Sequence, residues 1–200
     1  PAQAAPAPAN FTPQVVFSGL VRPTKLAFAA DGRVFVAEKS GIIKVFRSLS
    51  DPVWTVFADL RPKVYDYKDL GLIGLALAPD FPTDPHVYVS YSYDGVIGGG
   101  APTYHDACGT ANSCVSSARV SRLRADGDTM TGTEQVLLHD WCTQIESHSV
   151  GDLAFGRDGG LYVAGGDGAS GSFVDYGQTG SPPNPCGDPP GPVGTALTPP

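Results

Sequence analysis

Three stretches of the chain share one arrangement of apolar and polar positions. In KLAFAADGRVFVA (residues 25–37) apolar side chains alternate, a turn containing Asp follows, and a second alternating run returns. DLAFGRDGGLYVA (152–164) repeats the arrangement. Leu26, Phe28, Asp31, Val34 and Val36 match Leu153, Phe155, Asp158, Leu161 and Val163 at a constant offset of 127. The remaining copy is GLALAPDFPTDPHVYVS (74–90). Its Leu75, Leu77 and Asp80 match the first copy at an offset of 49, and four further residues lengthen its turn. Alternation on both sides of a turn predicts an antiparallel hairpin, because successive strand residues face opposite sides of a sheet.

Two more strand-like runs follow each of the first two hairpins. They are IIKVF (42–46) and VWTVFADL (53–60), then ARVSRLRAD (118–126) and EQVLLHDW (134–141). Four antiparallel strands recurring at roughly 50 residues is the period of a propeller blade. A β-sandwich also needs many short strands, but not this recurring hairpin with the same turn chemistry. The predicted fold is therefore an all-β propeller over residues 14–200, with blades near 25–60, 74–141 and 152–200, the last incomplete. An Ala/Pro-rich segment over residues 1–13 precedes it and reads as a linker or the remnant of a processed precursor. Propellers close with typically four to eight blades, so two and a half blades imply one piece of a longer product.

Composition agrees with a turn-rich β-protein: 25 Gly and 19 Pro, with only 16% charged residues. A formal charge of -7 with no basic patch argues against a nucleic-acid partner. No apolar run approaches the roughly 18 residues that a membrane span needs. Four cysteines, an even number, fit an exported protein with two disulfides, Cys108–Cys114 and Cys142–Cys186. A metal site using Cys142 and His139 is the alternative, weakened by the lack of any Cys-x-x-Cys pair.

Candidate chemistry gathers at the third hairpin. His148 precedes its first strand, and Asp167 follows its second in the run GGDG. Antiparallel pairing brings those two ends to one rim. A histidine held by a carboxylate is a general base, and Gly165, Gly166 and Gly168 would leave the backbone there open to a flat ligand. Spacing alone leaves the plainer reading open, in which His148 caps a strand and Asp167 closes a turn. The same rim collects the loop from Asp94 to Ser117, the connection RPKVYDYKDLG (61–71), Cys142 and the Pro-rich segment carrying Cys186. His86, His105 and His139 read as turn, loop and strand-end residues, and Trp54, Tyr65, Tyr67 and Trp141 as packing. A hydrolase using Ser147 or Ser149 has no G-x-S-x-G elbow to support it.

Together, YKDLGLIGLALAPDFPTDPHVYVSY and HSVGDLAFGRDGGLYVAGGDG resemble the soluble quinoprotein glucose/sorbosone dehydrogenase family, over about residues 14–190. The resemblance implies a six-bladed propeller, secreted or periplasmic. It would use pyrroloquinoline quinone (PQQ) and calcium to oxidise the anomeric carbon of an aldose, and pass the electrons to an external acceptor. It implies that His148 takes the anomeric hydroxyl proton while hydride passes to the quinone, and that Asp167 orients His148. Asp69 stands near the sugar, where characterised members carry an amide side chain, and Ser147 stands where an acidic residue commonly precedes the histidine. The cations that grip the quinone and the calcium ligands are expected in later blades, so these residues alone should not catalyse. Hedgehog-interacting proteins share the scaffold and act by binding. The rival reading is therefore a non-catalytic propeller that binds carbohydrate or a protein.

Overall fold

The structure, a computed structural model, describes residues 8–107, 115–143 and 146–166. Every regular element among them is a β-strand. Strands β1 (Pro23–Phe28), β2 (Val34–Glu38), β3 (Ile42–Phe46) and β4 (Trp54–Asp59) form one antiparallel sheet in chain order. A second sheet of the same order holds β5 (Leu72–Leu77), β6 (His86–Tyr93), β7 (Ser116–Asp126) and β8 (Thr129–Thr143). Strands β9 (Val150–Phe155) and β10 (Leu161–Gly165) pair as a hairpin. β5 lies against both β1 and β9, so the first strands of the three sheets stand side by side. That is how the innermost strands of successive propeller blades are arranged.

One turn chemistry recurs at the lower rim. In blade one the Ala29 N–H donates to the Arg33 carbonyl at 2.8 Å, and the Gly32 N–H donates to the Ala29 carbonyl at 3.0 Å. Asp31 Oδ1 accepts the Arg33 N–H at 3.1 Å. Blade three repeats this with Gly156 to Gly160 at 2.8 Å and Gly159 to Gly156 at 3.0 Å. There Asp158 Oδ1 takes the Gly160 N–H at 3.0 Å. A short carboxylate reaches the backbone two residues on, which is why Asp suits this position in both copies.

The upper rim carries a second repeated device. Lys39 N–H donates to the Arg22 carbonyl at 3.0 Å, Ser92 N–H to Gly71 at 2.9 Å, and Gly166 N–H to Ser149 at 2.8 Å. A register shift accompanies each closure, at Pro23/Lys25, Leu72/Gly74 and Val163/Gly165. Three hairpins thus end in one geometry. Val21, Leu70 and His148, each just ahead of the accepting residue, occupy equivalent places.

Burial joins the blades. Phe35, Val45, Phe57, Leu75, Val87, Val89, Tyr91 and Leu123 form one buried cluster across blades one and two. Phe35 meets Phe57 edge-on at 5.2 Å and Phe81, from the turn of blade two, at 5.5 Å. Such pairs add to area burial because the positive ring edge meets the negative face. Tyr88 and Phe155 make the same contact at 5.0 Å between blades two and three. Hydroxyls cross the gaps as well: Thr24 Oγ1 donates to the Leu72 carbonyl at 2.7 Å, and Ser90 Oγ to that of Gly151 at 2.6 Å. On the far face of blade one, Phe17 stacks on Phe46 at 3.8 Å.

Candidate active site

His148 stands at the head of β9, exposed, with φ at +54°. Left-handed backbone is uncommon for residues other than glycine, because Cβ crowds the following carbonyl. Gly166 explains how it is held. A Cβ on Gly166 would lie 2.4 Å from the His148 carbonyl oxygen and 2.9 Å from its Cα. Only glycine lets β10 close so tightly on the histidine backbone. Gly165 is similar, since its Cβ would fall 2.2 Å from the Trp141 ring. The sequence suggested that these two glycines leave room for a flat ligand. In the structure that room is taken by the protein's own His148 backbone and Trp141 indole.

Ser149 anchors the residue from below. Its Oγ accepts hydrogen bonds from Ser92 at 3.1 Å and Thr143 at 3.0 Å, both buried. This hydroxyl cluster joins β6, β8 and the start of β9, a structural use of Ser149 that leaves the hydrolase reading without support.

The connection 61–71 closes over the same rim. Asp69 is exposed, and its N–H donates to the Glu146 carbonyl at 3.2 Å. Lys68 Nζ bonds Glu146 Oε1. That bond holds the Glu146 carboxyl below the usual glutamate range against the opposing effect of burial. Asp66 takes Lys39 Nζ at 2.5 Å and both terminal nitrogens of Arg22. Its own N–H donates to Asp106 Oδ1 at 2.8 Å. Buried Asp94 fixes the long loop by accepting the N–H groups of Tyr104 at 2.7 Å and His105 at 3.0 Å. Tyr65 stacks against Tyr67 at 5.9 Å and packs on Tyr104 at 5.2 Å. Burial first, then the charge of Asp94, pushes the Tyr65 phenol far above its ordinary value, so it is no acid or base near neutrality. Arg22, Lys68, His105, Asp106 and His148 all carry left-handed backbone, and all lie on this rim.

The other histidines go elsewhere. His86 bonds Asp84 at the lower rim, and His139 Nδ1 lies 2.5 Å from Asp140 Oδ2 on β8. Asp167, Cys108, Cys114 and Cys186 lie outside the described residues. Cys142 is disulfide-bonded, which removes it as a thiolate ligand and with it the Cys142–His139 metal site. The interloop network of Lys68, Glu146, Asp66, Lys39 and Arg22 was not read from the sequence. The unusual place of His148 was within reach, since the offsets of 127 and 49 align it with the apolar Val21 and Leu70.

Among the described residues no group of three or more His, Cys, Asp or Glu side chains could hold a metal ion. The rim cations Arg22, Lys39 and Lys68 each already face a carboxylate. The described residues therefore do not by themselves fit calcium or an anionic quinone.

Comparison with known proteins places the chain in a family. At 28% identity over 79% of the chain and 31% of the relative, the sequence is similar to quinoprotein glucose dehydrogenase B of Acinetobacter calcoaceticus. At 28% over 78% of the chain and 22% of the relative, it is similar to the hedgehog-interacting protein of Mus musculus. Among solved structures, an oxidoreductase (glucose dehydrogenase) of Thermus thermophilus matches with a TM-score of 0.60 and 34% identity, over 77% of this chain and 39% of that one. The fold also matches the PQQ-bound aldose sugar dehydrogenase of Streptomyces coelicolor, with a TM-score of 0.60 and 22% identity, over 80% of this chain and 42% of that one. The chain thus spans less than half the length of each. A profile of the glucose/sorbosone dehydrogenase family matches residues 20–181, and the chain belongs to that family.

Proposed function

We propose that the complete protein oxidises an aldose at its anomeric carbon, with His148 as the general base. One observation carries this reading. Where blades one and two place Val21 and Leu70, blade three puts an exposed histidine, in left-handed backbone locked by Gly166. A residue held in strained backbone at the head of an innermost strand is a functional signature, because the surrounding structure must bear its cost. Imidazole is the side chain whose ordinary titration lies nearest neutrality, which suits removal of a hydroxyl proton. Asp167 would orient it, and Asp69, exposed across the rim, would face the sugar. PQQ would accept the hydride, with calcium, held by residues outside those described, and an external acceptor would take the electrons onward. The protein would work outside the cytoplasm, with Cys142–Cys186 and Cys108–Cys114 closed as disulfides.

A second reading has its own observation. Every rim cation named above is already paired, as suits a propeller that only binds carbohydrate or protein. The two readings part in one experiment, the complete protein with PQQ and calcium, followed by dye reduction over a panel of aldoses. Activity in the wild type that disappears in His148→Ala, with quinone still bound, supports the dehydrogenase. Failure of the wild type to bind quinone leaves the binding propeller.

A further inference from the structure

The clasp between Lys68 and Glu146 has features that an ordinary surface ion pair lacks. Exposed pairs contribute little, because solvent screens them and two long side chains lose freedom. Here the Glu146 side chain is only 16% exposed. Its Oε1 takes Lys68, while its Oε2 is buried with no hydrogen-bond partner among the described residues. A buried carboxylate oxygen left unpaired is costly. Lys68 adds a second cost, since it is held at φ +45°. Its ammonium also lies 5.6 Å from the Tyr67 ring centroid, and Tyr67 stacks on buried Tyr65. The lysine side chain is itself 55% exposed, but its ammonium is flanked by the buried carboxylate on one side and this aromatic pair on the other.

Its position gives these costs a purpose. Lys68 and Asp69 belong to the connection leading into blade two, and Glu146 lies two residues ahead of His148 at the head of blade three. The Asp69 N–H bond to the Glu146 carbonyl doubles the link. Gly166 grips the His148 backbone on its far side. The histidine is thus held between its own hairpin and a loop of the neighbouring blade.

We propose that the Lys68–Glu146 clasp is a positioning device that fixes His148 relative to Asp69 and so to the bound sugar. This rests on the dehydrogenase reading above. Neither residue touches substrate; both act through the histidine backbone.

The test uses the complete protein carrying Lys68→Met, Glu146→Gln, and the reciprocal pair Lys68→Glu with Glu146→Lys. Misplacing a base by about 1 Å costs up to about 100-fold in rate. Each single variant is expected to lower kcat by about 10-fold or more while KM for the aldose and quinone binding stay near wild type, the pattern of a lost transition-state interaction. The reciprocal pair is expected to recover at least half the loss, and Lys68→Arg to retain activity. The second readout needs no cofactor. The His148 imidazole resonance of the apoprotein, assigned with His148→Ala, is expected to move or broaden in Lys68→Met. An unmoved resonance together with unchanged kcat overturns the clasp. If wild type oxidises no aldose, the dehydrogenase reading falls, and the resonance alone decides whether Lys68 positions His148. Should Lys68→Met fail to fold, the reciprocal pair gives both readouts.

Discussion

Blades one and three begin with the same hairpin, yet they bury opposite strands. In blade one the second strand is sealed, with Val34, Phe35 and Val36 all in the core. The first is open, and Leu26 is 50% exposed. In blade three the first strand is covered, with Leu153 only 2% exposed, while Tyr162 on the second is 61% exposed. Alternation decides which side chains share a face, but neighbours decide whether that face is dry. β2 lies between β1 and β3, with Phe17 and Leu20 over part of it. Among the described residues β10 has only β9 beside it, while β9 rests against β5. The rim shows the same contrast. Lys39 and Gly166 make equivalent closing bonds, yet the second must be glycine, because a Cβ there would lie 2.4 Å from the carbonyl oxygen of the facing His148 backbone.

The largest expected effect tests the sealed side. Phe35→Ala removes an aromatic ring with two edge-on partners and is expected to cost about 3–5 kcal/mol by denaturant unfolding. Its counterpart Tyr162→Ala should change stability by no more than about 0.5 kcal/mol. Equal losses at both positions would mean that something covers the β9–β10 face in solution, and the contrast between blades would break.

Next is the paired rim position. Gly166→Ala forces a Cβ against the His148 carbonyl and is expected to lower sugar oxidation about 100-fold in the complete protein. Lys39→Ala, at the equivalent closure, should leave the rate near wild type although it removes an ion pair with Asp66. A similar fall in both variants would point to general rim collapse rather than placement of the histidine.

Burial sets the third expected effect, beside the upper rim of blade one, where the Val21 N–H also donates to Glu38. Lys44 and Glu38 form a buried ion pair at 2.6 Å. Glu38→Ala leaves Lys44 without its carboxylate and is expected to cost up to about 3–5 kcal/mol, read by thermal unfolding. A cost equal to that of Phe35→Ala would place the ionic and aromatic seals of blade one on a par, while a smaller one would rank packing first.

The smallest effect is a titration. Lys68 holds the Glu146 carboxyl below the usual glutamate range, with Tyr65 near the carboxylate and Tyr67 and Asp69 near the lysine. A lowered folded-state value means that its contribution is present above the ordinary range and is lost as pH falls through the lowered one. The clasp should thus stay closed at neutral pH. In Lys68→Met the Glu146 titration, followed by carboxyl-carbon NMR, should move up toward the ordinary value. No movement would show that the two charges are not coupled in solution.

Strand β3 occupies the span that the sequence predicted, Ile42–Phe46, because its apolar residues are buried where they were read. β8 runs further than its predicted 134–141, over Thr129–Thr143. Its first residues, TMTGTE, are mostly polar and exposed, with Met130 as the one large apolar side chain among them, so they carry no apolar alternation. Pairing with β7 through Asp126↔Thr129 makes them a strand. The place of His148 at the head of the third hairpin was legible, since it needs only antiparallel pairing. The grip of Gly166 was not, because a Gly-Gly run reads equally well as open space or as close approach.

By itself, then, the sequence determined the repeat, the hairpins with their Asp turns, and the rim on which His148 stands. These follow from contacts between residues near in the chain, where period and turn chemistry are written locally. Tertiary structure alone decided which hairpin strand is buried, and that Lys68 meets Glu146 across 78 residues. Those depend on which blade faces which, and a charged side chain carries no mark of its distant partner.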